Sequence, residues 1–144
     1  PAQPAQFPDN DFSEAGAIVF GTPTRFGNVS AQLKNQIDQL TSLWLKGELE
    51  GKPAGVFVST GSSHGGQETT ALTLMAPLLH LGMILVGVPY SIQELFTPQG
   101  GGSPYGPGHV AGKDNKRPID EQEAAICRAL GRRLAAIGLR LRQP

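Results

Sequence analysis

The chain has 144 residues, 39% of them hydrophobic, which suits a single globular domain. Its 12 basic residues balance 12 acidic ones, so the sequence gives no electrostatic ground for nucleic-acid binding, which leans on phosphate neutralisation. The only cysteine, Cys127, excludes a disulfide framework and a Cys-based metal site. No apolar run reaches transmembrane length, so a reducing, cytoplasmic setting without membrane insertion is expected.

Residues 1–10 are rich in Pro, Ala and Gln and carry no period. Residues 1–14 are assigned to a tail or linker ahead of a domain over 15–144. Ala17-Ile18-Val19-Phe20 is a short apolar run of the kind found in parallel strands buried on both faces. The turn Gly21-Thr22-Pro23-Thr24-Arg25-Phe26-Gly27-Asn28 follows it. Ser30 then suits a helix N-cap, because its hydroxyl accepts a free backbone N–H of the first turn. Leu33, Ile37, Leu40 and Trp44 recur at helical spacing and predict one buried face. Trp44 lies on that stripe, so plain core packing is one reading of it.

Ala54-Gly55-Val56-Phe57-Val58 predicts the second strand, ending in Ser59-Thr60-Gly61-Ser62-Ser63-His64-Gly65-Gly66. A helix is expected from about Gln67 to His80, with Ala71, Leu74, Met75, Leu78 and Leu79 inward, Pro77 kinking it and Gly82 stopping it. Met83-Ile84-Leu85-Val86-Gly87-Val88 predicts the third strand. Residues 91–117 carry much Gly and Pro, and a loop that long inside a compact domain is usually functional or interfacial. Asp120 caps the last helix with Glu123 as its capping-box partner. Ile126, Leu130, Leu134, Ile137 and Leu141 form its stripe. Strands alternating with helices imply an α/β fold with a parallel sheet. Ligands in such sheets bind beyond the carboxyl ends of the strands, which brings the two Gly-containing loops forward as a crevice.

Four motifs stand in one order: Pro23-Thr24-Arg25-Phe26-Gly27-Asn28; Ser59-Thr60-Gly61 with Gly65-Gly66-Gln67-Glu68-Thr69-Thr70; Leu79-His80-Leu81-Gly82-Met83; and Gly101-Gly102-Ser103-Pro104-Tyr105-Gly106. In that order the chain from Ala15 onward resembles the WrbA-type NAD(P)H:quinone oxidoreductases. The resemblance implies a flavodoxin-like three-layer α/β/α fold, FMN as cofactor, NADH or NADPH as electron donor, quinone and nicotinamide as small-molecule partners, and a homotetramer. It implies that Thr24, Arg25 and Phe26 line one side of the isoalloxazine, with Gly27 and Asn28 closing the turn. Ser59, Thr60, Gly61, Ser62, Ser63 and His64 would line the other. Trp44 would stand beside the nicotinamide or quinone, and His80 near the flavin. No side chain need act as a catalytic acid, and no metal is expected, because the flavin carries the chemistry.

The sequence departs from the family twice. The Ser62-Ser63-His64 segment makes its loop one residue longer than in many members. The family's first strand, phosphate-cradling loop, first helix and second strand have no counterpart, so only strands 3, 4 and 5 and their helices are expected. The chain then reads as a fragment, expected neither to hold FMN tightly nor to stay soluble alone. Two other functions compete with the quinone reductase: a flavodoxin-type carrier of single electrons, and a non-catalytic truncated interaction module. Tyr105 is the expected anchor of residues 91–117 on a neighbouring subunit.

Overall fold

Alternation along the second predicted strand decides how the layers form. In the computed structural model of the chain, which describes residues 7–96 and 100–142, this strand is β2 (Pro53–Thr60). Ala54, Val56 and Val58 are buried in one core cluster with Phe20, Ile37, Leu40, Leu74 and Leu78. Gly55 faces the other way, where a Cβ would come within 2.8 Å of Leu134. Successive residues of a strand point to opposite faces, so β2 supplies both sides of a layered structure.

The helices follow from that division. α2 (Ala31–Asp38), α3 (Thr41–Leu45) and α4 (Gln67–His80) supply residues to the first cluster. α5 (Glu121–Leu141) covers the second face through Ile126, Leu130 and Leu134, which pack with Val86 and Val88. The expected three-layer α/β/α arrangement is what forms.

β2 is the central strand. Its whole run from Ala54 to Ser59 pairs in parallel with β1 (Ile18–Pro23). β3 (Ile84–Leu85) pairs with Pro53 and Ala54, and β4 (Gly108–Val110) pairs with Val58, Ser59 and Thr60, both in parallel. The third predicted strand is therefore much shorter than Met83 to Val88. Beyond Val86, which donates to the Ala54 carbonyl, the returning segment takes over: Val88 donates to Pro104 and Val58 to Pro107. Gly106 permits this insertion, since a Cβ there would lie 2.2 Å from the Val56 carbonyl oxygen.

Residues 9–14 also differ from a tail. They form α1 (Asp9–Glu14), and Phe12 is buried with its ring stacked on Phe20. Lys52 donates to the carbonyls of Ser13 and Ala15 and ties the end of α1 to the start of β2. Residues 1–6, and Pro98 within the predicted long loop, lie outside the described residues. The rest of that loop is not a free excursion. It contains a short 3₁₀ turn (Gln93–Phe96) and β4, and Tyr105 rests against the chain's own first core cluster.

Candidate functional site

β1 and β2 are adjacent and parallel, so their carboxyl ends open on the same edge. At the end of β1 the chain makes a two-residue hairpin. Arg25 and Asn28 exchange backbone hydrogen bonds of 2.8 and 3.1 Å, and Phe26 and Gly27 at the tip have φ of 54° and 76°. Such a turn needs positive φ at both central residues. Gly27 adopts it freely, whereas Phe26 carries about 1–3 kcal/mol of backbone strain. Its ring is fully exposed at 106%.

The hairpin is fixed from below. The Thr24 amide donates to the Ser59 carbonyl at 2.8 Å, and the Thr24 hydroxyl lies 2.7 Å from that of Thr70 in α4. Asn28 Oδ1 accepts from the Val29 amide, Thr22 Oγ1 accepts from the Ser30 amide, and Ser30 Oγ accepts from Leu33 to cap α2 as its sequence suggests.

The second loop leaves β2 at Thr60, whose hydroxyl donates to the Ser62 carbonyl at 2.8 Å, while the Gly65 amide donates to the same carbonyl at 3.0 Å. Gly61, Ser62, Ser63 and His64 are exposed. Among the described residues, nothing accepts a hydrogen bond from the amides of Ser62, Ser63 or His64. Gly66 (φ 94°) opens α4, and a Cβ on it would sit 3.0 Å from Gly27 Cα. The two loops therefore meet, and the two stretches read from the sequence as a pair, Thr24 to Asn28 and Ser59 to His64, stand side by side at one edge of the sheet.

Trp44 and His80 are brought together, but elsewhere. Both line a pocket with Asp38, Thr41 and Pro77. α4 runs 14 residues from Gln67 beside the loops to His80, roughly 20 Å at 1.5 Å per residue. This pocket is at the opposite end of the sheet from the crevice. Trp44 is 51% exposed, and Leu43 takes the buried position instead. The predicted single helix breaks between Asp38 and Thr41, and the restart shifts its inward face by one residue. Leu79 and Leu141, expected inward, are likewise exposed.

The sequence did not reveal a third strip beside the crevice. Residues 101–112 run along the end of β2, with the Ala111 amide donating to the Thr60 carbonyl at 2.7 Å. They are held by Glu123, 1% exposed, whose carboxylate accepts from the amides of Gly101 (3.0 Å) and Val110 (3.1 Å) and from Arg117 (2.8 Å), and lies 2.8 Å from His109 Nδ1. Burial opposes ionisation, but the bonds from His109, Arg117, Gly101 and Val110 outweigh it and hold the carboxyl down at about 2. The capping box signalled only Glu123's bond back to Asp120; its other partners are tertiary.

The profile of the NADPH-dependent FMN reductase family matches residues 9–96. A Trichlorobacter lovleyi protein named NAD(P)H dehydrogenase (quinone) is 53% identical over 131 residues, covering 90% of this chain and 64% of the relative. A Methanosarcina barkeri protein of the same name is 47% identical over 132 residues, again covering 90% of this chain and 64% of the relative. The chain thus spans less than two thirds of the length of these relatives. A crystal structure described as a flavodoxin, WrbA-like protein from Agrobacterium tumefaciens superposes with a TM-score of 0.69 at 23% identity, over 90% of this chain and 69% of that one. That likeness establishes the flavodoxin-like fold.

Proposed function

Because the chain belongs to the NADPH-dependent FMN reductase family, we propose that it serves FMN-dependent two-electron reduction of quinones by NAD(P)H, as in WrbA-type oxidoreductases. The isoalloxazine would lie between the 24–28 hairpin and the 59–64 loop. The observation that carries this is the junction of Gly27 with Gly66 at the carboxyl ends of two adjacent parallel strands. The residues fit the ring. Its pyrimidine edge needs donors and acceptors at close range, and the free amides of Ser62, Ser63 and His64 supply donors in an exposed loop. Phe26 offers an apolar face, and Arg25 an exposed cation. Bound FMN would supply the redox chemistry, accepting two electrons from NAD(P)H and passing them to a quinone.

Trp44 and His80 would act from a neighbouring protomer. They lie at the far end of α4 from their own crevice, and the exposed indole offers a flat wall for a nicotinamide or quinone. A homotetramer, in which each site borrows this pocket, reconciles their expected role with their position. Among the described residues no helix is long and apolar enough to cross a membrane, and the unpaired Cys127 accords with a cytoplasmic setting.

Subunit mixing tests the reading. An FMN-loaded protein with Trp44→Ala and His80→Ala, and another with Gly66→Val in the crevice, should each lose quinone-dependent NAD(P)H oxidation. Mixed assemblies should regain activity that neither has alone. Flavin-loaded wild-type protein without quinone reductase activity would overturn the function. Mixtures no more active than their parts would overturn the shared site.

A further inference from the structure

Among the described residues, the most buried charge, that of Glu123, lies outside the loops assigned to the flavin. The capping box of α5 needs Glu123 only for its bond from the Asp120 amide, at 3.3 Å. The same carboxylate also takes the Gly101 and Val110 amides, Arg117 and His109. A carboxylate withdrawn from water persists only when so paired, which makes it a firm point of attachment for residues 101–110.

Gln67 stands on the other side of that segment. Its Oε1 accepts from the Gly102 amide at 3.1 Å, and its Nε2 donates to Thr60 Oγ1 at 3.0 Å. Thr60 Oγ1 in turn donates to the Ser62 carbonyl at 2.8 Å. The amide is closely housed: a Cβ on Gly101 would lie 2.8 Å from its Nε2, and one on Gly108 2.2 Å from its Oε1. A continuous path therefore runs from α5 through Gly101 and Gly102 to Gln67, then to Thr60 and into the 59–64 loop.

We propose that Gln67 is a positioning residue that sets the conformation of the 59–64 loop, with Glu123 anchoring the backbone to which Gln67 is tied. The position calls for a carboxamide, because one end must accept and the other must donate. A carboxylate in its place would still accept from Gly102 but could not donate to Thr60. It would instead draw the single proton of the Thr60 hydroxyl to itself and away from the Ser62 carbonyl. The consequence for flavin rests on the function proposed above; the consequence for the loop does not.

The test uses the 144-residue chain and compares wild type with Gln67→Met, Gln67→Glu and Glu123→Gln. Without flavin, backbone order parameters of residues 61–65 should fall from the rigid range near 0.85 to below about 0.6 in all three variants. The middle of α4 should keep its wild-type values. With FMN, Gln67→Met should weaken binding at least tenfold relative to wild type, more than Gln67→Glu. If Gln67→Met folds and leaves residues 61–65 as ordered as before, the positioning role is wrong. If only Glu123→Gln leaves them unchanged, the anchor is wrong. Should Glu123→Gln not fold, Thr60→Val cuts the path at its other end and should give the same loop signature; an unchanged loop there overturns the proposal. If wild type binds no FMN, the flavin reading fails, and the order parameters still decide the positioning role.

Discussion

Replacing Glu123 with glutamine should cost about 3 kcal/mol of folding stability at neutral pH and flatten the acid limb of the stability curve. The magnitude follows from linkage. The folded carboxyl titrates at about 2, against about 4.3 for an unperturbed glutamate, and each unit of difference is worth about 1.4 kcal/mol. The group is 1% exposed, so solvent screening takes little from this figure. The sign is that of a depressed carboxylate. The contribution is fully present above the unfolded value and fades as pH falls from about 4.3 through about 2. Glutamine keeps one acceptor oxygen but loses the charge that Arg117 and His109 face. Urea denaturation at intervals from pH 7 to pH 2 measures both effects. Wild type should lose its advantage over the variant across the acid range, and the two curves should converge near pH 2. Equal stabilities at pH 7, or curves that stay parallel into acid, would refute the reasoning.

Two glycines should respond in opposite directions to alanine. Gly131, in the middle of α5, has no atom within 4 Å of a new Cβ, so Gly131→Ala should raise stability by roughly 1 kcal/mol in the same denaturation assay. Gly106→Ala would drive a Cβ to 2.2 Å from the Val56 carbonyl oxygen and should destabilise by at least about 1 kcal/mol through displacement of the inserted segment. Trp44→Ala should change stability by no more than about 1 kcal/mol, because half the side chain is already exposed. A loss of about 3–5 kcal/mol, the scale for a buried tryptophan, would show that the indole is a core residue after all. At saturating FMN the same variant should lower quinone turnover without raising the FMN concentration needed for loading, as read by steady-state assay and flavin absorbance.

What the sequence disclosed was local. The runs at Ile18 and Ala54, the span of α4 from Gln67 to His80, the stop at Gly82 and the Asp120–Glu123 capping box each depend on neighbours within a few residues. The two crevice loops were legible for the same reason, as turn residues after apolar runs. What it hid was tertiary. The break after Asp38 has no Gly or Pro to signal it, so Trp44 looked inward when Leu43 is the buried one. β4 is three residues of a Gly/Pro-rich stretch with no alternation to read. Glu123 meets Gly101 from 22 residues away, and Gln67 meets Gly102 from 35, separations over which no periodicity speaks. The pairing of Trp44 with His80, far from the crevice, depends on the direction and length of α4 rather than on any motif.

The claim that the flavin lies between the hairpin and the 59–64 loop is tested most directly by titrating FMN into the isotopically labelled chain and following its amide resonances, a readout that registers weak binding as well as tight. Shifts should concentrate at residues 24–28 and 59–66, with Phe26 and His64 among the largest, and the pocket of Trp44 and His80 should stay silent while the chain is monomeric. Shifts centred on any other surface, or none at millimolar FMN, would contradict the assignment of this crevice to the flavin.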